Sequence, residues 1–364
     1  MLSFKNKLLS KSNSYKFYKE NYESLLKENK SLKKKNKSLK KKNKKFKKQL
    51  NKKAKASLYD EFRQRYVARS VFCSKDYLDF YLDDDFEDNL KNVTQHLDSK
   101  NKKYYKYLVL RSMFIYMLQM KTIYTEDEIK EQKRFNEYIK NNVKDNKIGE
   151  FEFEGGYNIH PFVDLGLDDD CLEFLKNKDI IDAGAYSGDT SLPLSKITDK
   201  NVYAFEPFDE SYGLLIKNIE NNNISNIVPV KKSLGNINGE RTLYVGNNVQ
   251  GITNQKDSKE WNEKFTVQES TIDKFVEDND LDVGFIIIDV EGAETDLLNG
   301  AINTIKTQKP ILTISIYHMM SDFFNIIPWV ADLDLGYEFK IVKEGPGSFM
   351  ADTCVQCVVR DNLK

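Results

Sequence analysis

Along the second half of the chain, short apolar runs alternate with stripes that recur every three or four residues. The runs Ile180–Ala183, Val202–Phe205, Ile227–Val230, Val283–Ile288 and Ile311–Tyr317 predict strands, and the stripes at Leu192–Ile197, Ser211–Asn221, Thr271–Glu277, Ala293–Ile305 and Asp322–Leu333 predict helices between them. Val283–Ile288 is nearly unbroken in its apolarity, as expected of a central parallel strand covered on both faces. Arg241–Val245 and Phe265–Val267 are β-like, with a loop expected around Gly251. Phe339–Val342 and Cys354–Val359 fit a closing hairpin. Residues 171–364 therefore predict an α/β domain, a Rossmann-like doubly wound mostly parallel sheet with a C-terminal antiparallel hairpin.

Upstream, residues 57–170 carry only helical periodicity. Leu58, Phe62 and Tyr66, then Leu78, Tyr81 and Leu82, recur at helical spacing, and Tyr104–Met120 is the strongest buried-helix candidate. Thr125 followed by Glu128 is a capping box for a helix running to about Lys140. Gly155-Gly156 marks a break, and Asp83–Asp85 and Asp168–Asp170 are expected as solvated loops. From Leu25 the pattern changes to seven residues: Leu32, Leu39 and Phe46 continue one heptad position, with Asn29, Asn36 and Asn43 four residues later. With the leucines at d the asparagines fall at a, a weak coiled-coil pattern that fixes register at a cost in stability. Lys33, Lys35, Lys40, Lys42 and Lys47 at e and g oppose a parallel homodimer unless an anion intervenes.

Charge sharpens that division. The net charge of zero conceals 21 Lys against 3 Glu in residues 1–56, a Lys-rich coiled-coil or disordered arm at 21 − 3 = +18, so the remaining 308 residues stand at 35 − 53 = −18. Residues 27–55 suit an anionic membrane surface or an acidic partner, and the heptads a homo-oligomer. Nucleic acid is disfavoured, because the densest part of the arm holds only Phe46 as an aromatic. Four cysteines in 364 residues do not make a disulfide framework. Leu2–Leu9 lacks the apolar core of a signal peptide, and Ser112–Met120 is too short to span a bilayer. These features predict a cytoplasmic protein, with a peripheral position on the inner membrane face open to the arm.

In a doubly wound sheet, ligands bind outside the carboxyl ends of the strands. The polar residues expected there are Asp182 and Gly184, Glu206, Ser233-Leu234, Asp289 and Glu291, and Tyr317 and His318. The stretch DIIDAGAYSGDT, residues 179–190, runs from a strand through Gly184 and Gly188 into Asp189, Thr190 and Ser191 as caps or first-turn residues of a helix. Glu206, 22 residues past Gly184, is placed to accept from a ribose diol. There is no G-x-x-x-x-G-K-[ST], which argues against nucleoside triphosphates. His160, ahead of the turn, is a candidate lid or acceptor contact. Cys354 and Cys357 stand on an expected strand without a second cysteine pair, as core residues rather than a zinc site.

DAGAYSG resembles the first motif of S-adenosylmethionine-dependent methyltransferases, and AFEP at 204–207 their acidic second motif. More narrowly, IDVEGAE at 288–294, STIDKF at 270–275 and ISIYH at 314–318 resemble the FkbM-type methyltransferase family. The resemblance covers residues 179–360 and implies S-adenosylmethionine as cofactor and O-methylation of hydroxyls on sugars and other natural products. It implies that Gly184, Ala185 and Gly188 approach the cofactor's methionine part, that Glu206 binds its ribose, and that Ser233 and Leu234 flank the adenine. Asp182, Asp189 and Pro207 complete the cofactor set. Asp289-Val290-Glu291-Gly292 stands where enzymes acting on base amines carry an Asn/Asp-Pro-Pro-aromatic motif, which argues against base N-methylation. Asp289, Glu291 and His318 are the catalytic candidates, with His318 expected to be the group basic at neutral pH. The same residues are compatible with a divalent metal, which two carboxylates and an imidazole do not by themselves define. The expected function is O-methylation of a glycan or small-molecule acceptor. The alternative is an inactive methyltransferase-like scaffold held to a polyanion by the arm.

Overall fold

A computed structural model describes residues 85–118, 124–159, 161, 165–246, 249–253, 261–343 and 352–363. The Lys-rich arm, the periodic residues 58–82 and His160 lie outside the described residues. The chain forms two compact units, one of residues 1–91 and 109–122, the other of residues 92–108 and 123–364. The helices Phe86–Thr94 and Ser99–Leu118 contribute residues to both. The second starts at Ser99, ahead of the apolar stripe, because the Asp98 carboxylate accepts the Asn101 N–H at 2.7 Å and caps it. The remaining description concerns the larger unit.

The capping box forms as expected. Thr125 Oγ1 accepts the Glu128 N–H, Glu128 Oε2 accepts the Thr125 N–H, and the helix Glu126–Asn142 follows. A small antiparallel meander comes next, with β1 (Val143–Lys144), β2 (Lys147–Ile148) and β3 (Phe151–Glu152). Its Ile148 and Phe151, with Phe153 just beyond it, enter the same buried cluster as Ile180, Leu192, Val202 and Phe285. The expected loop at Asp168–Asp170 is instead a helix start: Asp168 accepts the Cys171 N–H and the helix Asp169–Leu175 begins. An aspartate run reads as solvated until its first member is recognised as a cap.

The central sheet has seven strands in the order β13-β14-β12-β11-β4-β5-β6. These are β4 (Asp179–Ala183), β5 (Val202–Phe205), β6 (Ile227–Val230), β11 (Val283–Ile288), β12 (Ile311–Ser315), β13 (Glu338–Lys343) and β14 (Thr353–Val358). β4, β11, β12 and β14 are buried along their whole length, and the edge strand β13 alternates at its start. Pairing is parallel from β12 through β6 and antiparallel in the β12-β14 and β13-β14 pairs, so the hairpin closes the sheet as expected. Cys354 and Cys357 are both buried on β14.

Beyond the helix start at Asp168, and beyond the strands β1, β2 and β3 that stand within the segment expected to be helical, two further expectations change. Gly251 is not in a loop: β7 (Ser233–Leu234), β8 (Gly239–Gly246), β9 (Val249–Thr253) and β10 (Trp261–Ser270) make a second sheet, ordered β7-β10-β8-β9. The predicted helix 293–305 is two helices, Glu294–Asn299 and Ile302–Gln308, broken at Gly300. A Cβ there would lie 2.0 Å from the Gly235 carbonyl oxygen, so the chain gives up helical continuity to let the second sheet approach.

The order of the strands puts the topological switch between β4 and β11, since the chain winds outward from β4 through β5 and β6 and returns to β11 on its other side. Gly184, at the end of β4, has φ +94°, and a Cβ on it would lie 1.9 Å from the Asp289 carbonyl oxygen. The two strand ends are thus in backbone contact, tied by the Asp289 N–H to the Ala183 carbonyl at 3.0 Å. Gly184→Ala is expected to cost at least ~2 kcal/mol of stability in urea denaturation, through strain and the backbone collision together. Gly213→Ala, in the helix Asp209–Asn221 with nothing within 4 Å of the new Cβ, should be neutral or stabilising by up to ~1 kcal/mol.

Candidate active site at the strand ends

The turn after β4 is built to keep side chains off the strand end. Gly184 and Gly188 both have positive φ, and so does Tyr186 between them at 46°. A tyrosine in the left-handed region is uncommon, and here the surroundings hold it: its N–H donates to Glu206 Oε2 at 3.1 Å. Gly184 and Ala185 N–H groups both donate to the Phe205 carbonyl, which locks the turn to the end of β5. Asn218, fully buried on the helix Asp209–Asn221, donates to the carbonyls of Ser187 and Glu154 and accepts the Glu154 N–H. One side-chain amide thereby joins the turn to the segment that follows β3.

Three carboxyl groups lie against this turn. Asp182 is buried and accepts from Ser191 Oγ. Asp189 is buried and accepts the Asn158 N–H, so it anchors the segment beyond Gly156 as well as standing at the turn. Glu206 is buried, with Oε1 taking the Phe208 N–H at 2.9 Å and Oε2 the Tyr186 N–H. Each of the three carboxyls is pushed up to about 7, in every case chiefly by burial. Glu206 keeps unused lone pairs on both oxygens, since a carboxylate offers about four acceptor sites and two are taken. Ser233 and Leu234 do not end a strand of the central sheet. They form β7 of the second sheet, where Ser233 Oγ donates to the Gln268 carbonyl and Leu234 is buried. Pro207 continues from Glu206 toward the following helix.

Across the switch, His318 sits among acids. Its Nδ1 is 2.7 Å from Glu294 Oε1, and its Nε2 is 3.3 Å from Asp289 Oδ1 and 3.4 Å from Glu291 Oε2. The imidazole and Glu294 are buried, whereas Asp289 and Glu291 are part-exposed and open the cluster to solvent. Burial alone would lower the imidazole's pKa, but the pair with Glu294, then Glu291 and Asp289, reverse this and push it up to about 10. The expectation that His318 is the free base at neutral pH is therefore corrected: it holds its proton because carboxylates surround it. Asp289 and Glu291 are held above the usual carboxylate range, first by burial, with His318 opposing. Glu294 is pulled below that range, its burial outweighed by His318 together with backbone N–H groups of the turn.

Glu294 was absent from the candidates read off the sequence, as was Asp322. A signal was present: Glu294 lies on the stripe with Leu297, Leu298, Ala301 and Ile305, all buried, and an acid on an apolar stripe needs a partner. Asp322 is buried, accepts from Thr295 Oγ1 at 3.1 Å, and is pushed up to about 7 by burial and then by Glu294. No helical stripe could reveal it, because its partners come from another element.

The structure thus brings Asp182, Gly184, Ala185, Gly188, Asp189 and Glu206 to one side of the switch, and Asp289, Glu291 and His318 to the other. Residues 182–339 match the family model described as the methyltransferase FkbM domain. That segment belongs to the FkbM methyltransferase family. This is a family of S-adenosylmethionine-dependent methyltransferases. No curated protein matches the sequence. Among solved structures, the chain is similar to the methyltransferase FkbM from Methylobacillus flagellatus KT at 18% identity and TM-score 0.47, covering 76% of this chain and 61% of that one. An rRNA methylase from Streptococcus thermophilus is similar at 16% identity and TM-score 0.35, over 52% of this chain and 92% of that one. A Streptococcus mutans protein solved in complex with SAH gives 16%, 0.35, 52% and 93% in the same terms. The chain thus spans about three fifths of the FkbM structure it matches. Among the described residues, no helix is long and apolar enough to cross a membrane.

The elevated carboxyls of the FkbM domain make a stability prediction. Unfolding returns Asp182 to its ordinary 3.8 from about 7, so the native state binds the extra proton. Its contribution is therefore complete below about pH 4 and lost as pH rises through about 7. Asp182→Asn should flatten the fall in unfolding free energy between pH 5 and pH 8 by on the order of 1–3 kcal/mol, measured by urea denaturation across that range.

Proposed function

We propose that the FkbM domain is an active S-adenosylmethionine-dependent O-methyltransferase whose acceptor is a hydroxyl of a glycan or related surface polymer. The observation that carries this reading is the backbone contact between Gly184 and Asp289, which brings a part-exposed carboxylate beside the glycine turn. The residues present fit the cofactor: Gly184 and Gly188 leave the strand end without a Cβ, and the Glu206 carboxylate has acceptor capacity left for a diol. Gly184, Ala185 and Gly188 would hold its methionine part and Glu206 its ribose, with Asp182 and Asp189 shaping the turn from behind. When bound, the cofactor supplies an electrophilic sulfonium methyl group.

The chain's own residues then have three tasks. The turn and the end of β11 would hold donor and acceptor beside one another, and positioning would supply much of the acceleration. Asp289, rather than His318, takes the hydroxyl proton, because the imidazole already carries its own. The His318 charge keeps Asp289 more acidic than burial alone would leave it, so the carboxylate is available to accept. Glu294 holds the imidazole through Nδ1 and thereby aims Nε2 at Asp289 and Glu291. The glycan class is supported by the FkbM resemblance and by a motif unlike that of enzymes acting on base amines.

Calorimetric titration with S-adenosylhomocysteine should give saturable binding, with Glu206→Ala weakening it at least ~10-fold through loss of the ribose hydrogen bonds. Asp289→Asn should bind that ligand nearly as well as wild type yet lose about 10²–10⁴ in turnover on a hydroxyl acceptor. Unchanged affinity in Glu206→Ala contradicts the cofactor assignment, and unchanged turnover in Asp289→Asn contradicts the base assignment.

A further inference from the structure

The two nitrogens of His318 are held differently. Nδ1 makes a short, buried contact with Glu294 at 2.7 Å, with no ambiguity of partner. Nε2 is buried without a hydrogen-bond partner, although Asp289 Oδ1 and Glu291 Oε2 stand 3.3 and 3.4 Å away. Asp289 Oδ1 is likewise buried and unpartnered. The ring is thus aimed at two carboxylate oxygens without bonding either. Without an ion, Nε2 carries a proton that makes no hydrogen bond of good geometry to either carboxylate, and a bound cation would take that proton's place.

A cation satisfies this arrangement well. With metal–ligand bonds of about 2.0–2.2 Å, neighbouring ligand atoms lie roughly 3.3–3.6 Å apart in a tetrahedral shell and roughly 2.8–3.1 Å apart in an octahedral one. The two Nε2–oxygen separations, 3.3 and 3.4 Å, match the tetrahedral edge. A carboxylate receiving the far N–H of a metal-binding histidine fixes its tautomer and turns the near nitrogen toward the ion, which is the position Glu294 holds. Ligand-capable atoms of Asp289, Glu294 and His318 all lie within 4.8 Å of one another, and Glu291 Oε2 adjoins this group at 3.4 Å from Nε2. Glu291 is held in the left-handed region at φ 55°, followed by Gly292 at φ 104°, a backbone cost at the residue whose carboxylate stands 3.4 Å from Nε2. The exposure of Asp289 and Glu291 leaves the remaining coordination positions open to water or to an acceptor oxygen.

We infer that His318 Nε2, Asp289 and Glu291 form a binding site for a divalent transition-metal cation at the ends of β11 and β12, with Glu294 orienting the histidine. One nitrogen and two carboxylate oxygens suit Mn²⁺ or Zn²⁺. The cation's task, though not its site, rests on the methyltransferase reading: it would bind the acceptor hydroxyl and favour its ionised form.

The test is calorimetric titration of the chelator-treated full chain with Mn²⁺ and with Zn²⁺, in parallel with S-adenosylhomocysteine. The expected result is saturable uptake of one equivalent of cation, weakened at least ~10-fold in Asp289→Asn and in Glu291→Gln, and about 10–100-fold in Glu294→Gln. Glu291 is a part-exposed turn residue, so Glu291→Gln decides the matter if a buried variant fails to fold, with its melting midpoint checked against wild type. Absence of saturable uptake, or uptake of equal affinity in Glu291→Gln, overturns the metal site. Intact S-adenosylhomocysteine binding without cation uptake overturns this inference alone. Cation uptake with that dependence on Glu291 but without S-adenosylhomocysteine binding supports the site and overturns the cofactor reading instead.

Discussion

The approach of the Gly184 backbone to the Asp289 carbonyl is the constraint on which the rest of the site depends. It exists because β4 and β11 are parallel neighbours at the point where the winding of the sheet reverses, and because the residue ending β4 has no Cβ. A side chain at position 184 would push the two strand ends apart, and the turn bearing Tyr186 would lose its register against Glu206. The FkbM domain therefore places the polar groups on the two sides of the switch relative to one another by backbone contact.

The carboxyl groups around this contact share one physical situation. Asp182, Asp189 and Glu206 on one side, and Asp289, Glu291 and Asp322 on the other, are all raised by burial. Burying acids without compensating cations is destabilising, and proteins accept it mainly where chemistry needs it. Among the described residues, His318 is the cationic side chain set between Asp289, Glu291 and Glu294, and these acids outnumber it. A site with that excess of acid is suited to receive positive charge, whether a sulfonium or a metal ion.

Much of this was legible in the sequence. The alternation of periods in residues 171–364 reproduces the strands of the central sheet, and the listing of polar strand ends recovered Asp182, Glu206, Asp289, Glu291 and His318. Of what was not legible, three cases show why. Ser233-Leu234 reads like a strand end, yet belongs to a second sheet, because a two-residue strand has no period of its own. The break at Gly300 is imposed by Gly235, distant in sequence. The protonated state of His318 depends on Glu294, and pattern reading names a residue's type without its neighbours. Local signals carried the elements; contacts between elements carried the electrostatics.

The account's central claim is that one continuous cleft at the switch between β4 and β11 holds donor and acceptor. A crystal structure of the full chain with S-adenosylhomocysteine tests it most directly. The account predicts ribose hydroxyls hydrogen-bonded to Glu206, the sulfur above the Gly184 turn, and Asp289 as the nearest carboxylate to it. The ligand seated elsewhere on the domain, or its sulfur facing away from Asp289, would contradict it.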